Sequence, residues 1–125
     1  MSLDEDELLA SALGVAASRR LKKSVLEIDL TLAMPPAAAA ERVRQVLGDL
    51  GSELDSGAAA EIGDLQVVGI VGAGVGNLNP AVVTVTIRAA DKDSSNLVVR
   101  GAAKEGLIRQ RAGESAARRV AEALA

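Results

Sequence analysis

The sequence contains no phenylalanine, tyrosine or tryptophan, no cysteine and no histidine. Each absence closes off a class of function. Without aromatic rings there is no platform on which a nucleic-acid base can stack, and no side chain of the kind that buries about 150–250 Å² in a core or an interface. Without cysteine, disulfides, thiolate metal sites and thiol catalysis are excluded together, and a reducing compartment, the cytoplasm, is the expected location. Without histidine the usual general base near neutral pH is missing, so proton transfer would rest on a carboxylate or lysine of displaced pKa. The four lysines, Lys22, Lys23, Lys92 and Lys104, stand at element ends or in polar surroundings, where a large downward shift is not expected. Only carboxylates remain as strong metal ligands, and they are dispersed or gathered in the run Asp4, Glu5, Asp6, Glu7, so neither a metal nor a cofactor is expected. That run also stands where a secretory leader would carry positive charge, and no apolar stretch is long enough to span a bilayer. Neither export nor a membrane partner is expected.

What is present is a 125-residue chain, 49% hydrophobic and 25% charged, with a net charge of −3. This suits one folded domain, residues 1–125, with 1–23 read as an N-terminal helix and basic segment at its periphery. The basic residues are scattered over several elements, so no nucleic-acid footprint stands out. A core built from Val, Leu, Ile and Ala gains less per residue than an aromatic one, which makes self-association into a homo-oligomer an expected route to further burial.

Along the chain the hydrophobic period changes repeatedly. Residues 3–18 read as a helix, with Ser2 and Glu5 spaced as a capping box, Leu8, Leu9, Ala12, Leu13 and Ala16 on one stripe, and Arg19, Arg20, Lys22 and Lys23 at its end. Residues 25–34 alternate: Leu26, Ile28, Leu30, Leu32 and Met34 on one face, Glu27, Asp29 and Thr31 on the other. Such a strand has one buried and one wet face, which favours an antiparallel or mixed sheet. Pro35 and Pro36 then start a helix over 37–50, with Ala40, Val43, Val46, Leu47 and Leu50 inward and Gly51 at its C′ position. Strands are expected near 53–62, 65–71, 81–89 and 96–102, the last two joined as a hairpin by the turn residues Asp91 to Ser95. From Lys104 a final helix carries Ile108, Ala112, Ala116, Val120 and Leu124 on its apolar side. The expected class is α+β, in the order αβαββββα: an antiparallel or mixed sheet of four to five strands, covered on one face by helices, with a long C-terminal helix.

Several motifs imitate functional sites. The run Val68 to Asn77 is glycine-rich after an apolar strand, but a dinucleotide fingerprint starting at Gly72 and Gly74 needs glycine where Asn77 stands, and a strand pattern follows instead of a helix. Asp91, Asp93 and Ser95 match the first, third and fifth positions of a calcium loop, yet Asn96 and Ala102 occupy the sixth and twelfth. No Ser-x-x-Lys pair or Gly-x-Ser-x-Gly elbow is present. Arg109, Arg111, Arg118 and Arg119 of the last helix are the strongest argument for nucleic-acid binding, and a solvated polar face explains them more simply. Glu27 and Asp29 are expected to stand near Arg88 and Arg100 across the sheet, each opposite pair contributing about 0.2–1 kcal/mol. The same two arginines, Arg88 and Arg100, are the candidate ligand-binding residues.

The strand Val25-Leu26-Glu27-Ile28-Asp29-Leu30, the helix start at Pro35-Pro36, and the closing run Leu97-Val98-Val99-Arg100-Gly101 before the helix from Glu105 to Leu124 together resemble a reduced helix-grip domain of the START and Bet v 1-like kind over residues 25–125. The resemblance implies a curved sheet wrapped on a long last helix, with room between them for a small apolar ligand. The leading functional expectation is a self-associating interaction module without catalytic activity. A helix-grip module for a small apolar or amphipathic ligand is the alternative, and an enzyme working through carboxylates a third reading.

Overall fold

The computed structural model describes residues 5, 6, 8, 9, 23–58, 64–73, 79–104 and 111–125. Five strands and two helices follow one another as β1 (Lys23–Leu32), α1 (Pro36–Leu50), β2 (Gly51–Ala58), β3 (Leu65–Ala73), β4 (Asn79–Asp91), β5 (Ser94–Lys104) and α2 (Ala112–Leu124). All neighbours in the sheet are antiparallel, in the order β1-β5-β4-β3-β2. The first strand therefore crosses the domain to pair with the last, and β1 and β2 form the two edges. The expected α+β class, the antiparallel sheet and the C-terminal helix are all found. The expected first helix falls mostly outside the described residues, although Glu5, Asp6, Leu8 and Leu9 have helical conformation. Among the described residues no helix is long and apolar enough to cross a membrane.

Period-two alternation in the strands sets the core. Val83, Val85 and Ile87 of β4, Leu97 and Val99 of β5, and Val67 and Val71 of β3 share one face, and all are buried with Ala39, Ala40, Val43, Val46 and Leu47 of α1 and Ala112, Ala116, Ala117, Val120 and Leu124 of α2. At about 25 cal/mol per Å², many short side chains buried together do the work that a few aromatic anchors do elsewhere. Thr84 and Thr86 on the other face are half-buried and Arg88 is exposed. This opposite face is not uniformly wet: Val68, Val82 and Ala102 lie fully or nearly buried on it under Leu9, with Leu8 and Val25 packed alongside.

Several boundaries differ from the sequence expectation for identifiable reasons. Strand β1 stops at Leu32 because the chain bends at Ala33-Met34 ahead of Pro35, and Pro36 then occupies the first helical turn. Gly51 was expected at a left-handed C′ position. Instead it is extended at φ −175° and is already the first residue of β2, and a side chain there would collide with the Ile70 carbonyl. Strand β2 thus begins as soon as α1 ends, and the register shift between Glu53 and Asp55 leaves Leu54 exposed. The β4–β5 turn is shorter than expected, with Lys92 and Asp93 at its tip; the Asp93 N–H donates to Asp91 Oδ1 at 2.8 Å. The expected last helix from Lys104 is also corrected, since Lys104 ends β5 and α2 begins at Ala112 after Arg111, whose φ of 52° is left-handed.

Candidate functional site

The two sequence-predicted ligand residues are both engaged by carboxylates. Arg100 faces Glu27 across the β1–β5 pair, as expected, with Nη1 3.5 Å from Glu27 Oε1. Its closer partner is Glu5, which accepts from Nε at 2.9 Å and from Nη2 at 3.2 Å. Lys23 joins the same cluster through Glu5 and through Asp6 at 2.7 Å. Burial works against the charge on Glu5, but the hydrogen bonds from Arg100 and Lys23 outweigh it and hold its carboxyl below the usual range. The Lys23 ammonium is likewise disfavoured by burial, yet its bonds to Asp6 and Glu5 raise its pKa, which is the opposite of what a catalytic lysine needs. Arg88 does not meet Asp29. It grips the nearly buried Asp64 with a two-pronged bond, Nη2 to Oδ2 at 2.9 Å and Nε to Oδ1 at 3.2 Å, and that bond lowers the Asp64 pKa. Arg88 and Arg100 share the outer face of the sheet, opposite Asn96 and Thr84 respectively.

The decoy motifs are absorbed by the fold. Asp91 organises the hairpin turn, and the Ser95 hydroxyl donates to the Met34 carbonyl at 2.8 Å. Of the glycine-rich run, Val68 to Ala73 lies in β3, residues 74–78 fall outside the described set, and strand β4 follows at Asn79. The arginines of the last helix have separate duties. Arg118 pairs with Glu114 at 3.7 Å and Arg119 donates to the Gly72 carbonyl at 2.6 Å; Arg109 lies outside the described residues. Among the described residues no three acids gather as a metal site.

A groove lies on the other face, between the edge strand β1 and the C-terminal half of α2. Ile28 and Leu30 form its floor, Ala121 and Ala125 its helical wall, and Arg118 and Glu122 its rim, around a shallow space of about 360 Å³ that is largely open to solvent. Its cause can be read residue by residue. Positions 118, 121, 122 and 125 make one stripe of α2 at i, i+3, i+4, i+7, and alanine at 121 and 125 keeps that stripe low. At the start of α2 the helix is drawn tightly onto the sheet: a side chain on Gly113 would collide with the Ser24 carbonyl, and one on Gly101 with the Gly113 carbonyl and, at 2.8 Å, the Ala117 nitrogen. Towards its end the helix carries Val120 and Leu124 into the core and leans on α1, where Arg42 donates to the Ala123 carbonyl at 3.1 Å. Ile28 and Leu30 are left half-buried, with the short Ala121 and Ala125 over them and Arg118 and Glu122 at the rim. The sequence showed that Ile28 and Leu30 face inward, but not that β1 is an edge strand, so the groove escaped the sequence reading.

An antiparallel sheet packed on a C-terminal helix, with an apolar groove between helix and edge strand, makes this an α+β layout. No family model matches the chain, and neither does any curated protein. Among solved structures it is similar to the ZhuI aromatase/cyclase from Streptomyces sp. R1128, with 16% identity over 82% of this chain and 84% of that one and a TM-score of 0.37. That protein is an enzyme by its description, which runs against two sequence expectations, a chain without catalytic activity and a self-associating interaction module. Both are withdrawn.

Proposed function

We propose that this domain is a small-ligand module of the helix-grip type, holding an apolar or amphipathic molecule in the groove between β1 and the C-terminal half of α2. The observation that carries this reading is the apolar floor of Ile28 and Leu30, half-buried under Ala121 and Ala125 and rimmed by two charged side chains. A volume of about 360 Å³ lies at the lower end of the usual range for small-molecule sites, roughly 300–1,000 Å³, and suits a single alkyl chain or ring.

Covering two branched aliphatic side chains would supply the driving force. Burying such a side chain fully is worth about 1.5–3 kcal/mol, and the ordering cost of association is set against it. Millimolar to high-micromolar affinity is expected for a short alkyl probe. The test is a titration with n-octanol followed by NMR on methyl-labelled protein. Saturable shifts at Ile28 and Leu30, lost in Ala121→Leu, support the groove. Shifts confined to the Val68–Val82–Ala102 face, or unchanged in Ala121→Leu, overturn it.

A further inference from the structure

We infer that the groove selects a cationic amphiphile, a molecule with an alkyl tail and a protonated amine head, over a neutral or anionic one of equal length; this inference rests on the groove being the binding site. The rim carries two charged side chains of α2, Arg118 and Glu122, one turn apart, and Glu114 stands one turn before Arg118 on the same helix. Arg118 Nη1 stands 3.7 Å from Glu114 Oε2, so its charge is already answered from the N-terminal side. Glu122 lines the groove and has no cation within ion-pair distance among the described residues. With Arg118 paired to Glu114, the charge left at the rim without an ion-pair partner among the described residues is the Glu122 carboxylate beside the apolar floor.

The helix adds to this. The groove opens along the last two turns of α2, where aligned peptide dipoles leave partial negative charge at the C-terminus. Arg42 answers part of it at the Ala123 carbonyl, from the side of α1. On the β1 side Ala121, Glu122 and Ala125 bring no cation, and Arg118 is paired with Glu114. An amine whose tail lies across Ile28 and Leu30 would meet the Glu122 carboxylate at the solvent boundary, where it keeps much of its hydration. A carboxylate head in the same pose would meet Glu122 with like charge, and turning to Arg118 would mean sharing it with Glu114.

The experiment compares n-octylamine, n-octanol and n-octanoate by calorimetry near pH 7 in low salt, on the full chain and on Glu122→Gln, Arg118→Gln and Ala121→Leu. For an ion pair in contact with water the expected preference is about fivefold for amine over alcohol, and a similar factor for alcohol over carboxylate. Salt at about 0.5 M should shrink both. In Glu122→Gln the amine should lose its lead over the alcohol. In Arg118→Gln the amine should keep its lead. Octanoate binding as tightly as octylamine, or an amine preference that survives Glu122→Gln, overturns the inference. Alcohol binding that Ala121→Leu abolishes, with no ranking by head group, overturns the inference and leaves the groove standing. If none of the three probes binds, the groove reading itself fails.

Discussion

The two ends of α2 meet the same strand on different terms. At the N-terminal end, Ala112, Gly113, Ala116 and Ala117 are buried against β1 and β5, and Gly113 lies so close to the Ser24 carbonyl that no side chain fits between them. At the C-terminal end, Ala121 and Ala125 are also small, yet they stand over Ile28 and Leu30 with space left between. Small residues therefore have two opposite consequences within thirteen positions of one helix. Where the sheet also offers a small residue, as at Gly101, helix and sheet close together until backbones touch. Where the sheet offers Ile28 and Leu30, and α1 fixes the helix end through Arg42, the gap stays open. Close packing is the default of protein interiors, so the open end is the part that calls for a function.

Three substitutions test this contrast. The largest effect is expected at the closed end. Gly101→Val would press a branched side chain into the Gly113 carbonyl and the Ala117 backbone, costing about 3 kcal/mol, the upper range for overpacking a filled core; urea denaturation reads it directly. A change below about 0.5 kcal/mol, the level of an ordinary surface substitution, would show that the two ends of the helix are equally loose. Next is the tie to α1. Arg42→Ala removes the bond to the Ala123 carbonyl, worth about 1 kcal/mol, and hydrogen exchange should quicken in the last turn of α2 while the first turns stay protected. Uniform loss of protection along α2 would argue that Arg42 stabilises the whole domain and does not hold the groove open.

The smallest effect concerns the opposite face, which serves as the control. Glu5 has its pKa lowered in the fold: burial opposes its charge, and the bonds from Arg100 and Lys23 overcome that. A depressed carboxylate contributes stability that is complete above its unfolded value and lost as pH falls through the folded one. Lys23, raised, contributes below the ordinary lysine value and loses its share as pH climbs through the folded one. Because the cluster touches water, its worth is about 0.2–1 kcal/mol. As pH falls below the ordinary carboxylate range, Glu5→Gln should flatten part of the acid loss seen in the unsubstituted chain, without altering octanol binding in the groove. An altered affinity would couple the two faces of the sheet.

Most of the architecture was legible because it is written in local periods. Leu26, Ile28, Leu30 and Leu32 alternate with Glu27, Asp29 and Thr31, and the strand they predict is β1, give or take its ends. Val83, Val85 and Ile87 predict the buried face of β4 in the same way. The hairpin was readable from Asp91 to Ser95, whose side chains compete for backbone groups and so favour turns. The boundary between β5 and α2 was less legible. Lys104 fits the end of a strand and the start of a helix equally well, and its true place follows from pairing with Lys23. Arg100 and Arg88 were expected near Glu27 and Asp29; Arg100 does stand opposite Glu27, but its closer partner Glu5 lies 95 residues away in the chain.

The order of strands, helices and inward-facing aliphatic residues is dictated by the sequence alone, since side-chain alternation and helical spacing depend only on neighbours a few positions apart. Which strand became an edge, where α2 touched the sheet and where it stood clear were decided by the tertiary structure. Those outcomes depend on contacts between distant segments, on Gly101 against Gly113 and on Arg42 against Ala123, and no local pattern records them. The groove is made of ordinary core residues, Ile28 and Leu30, that happen to lie where the cover runs out.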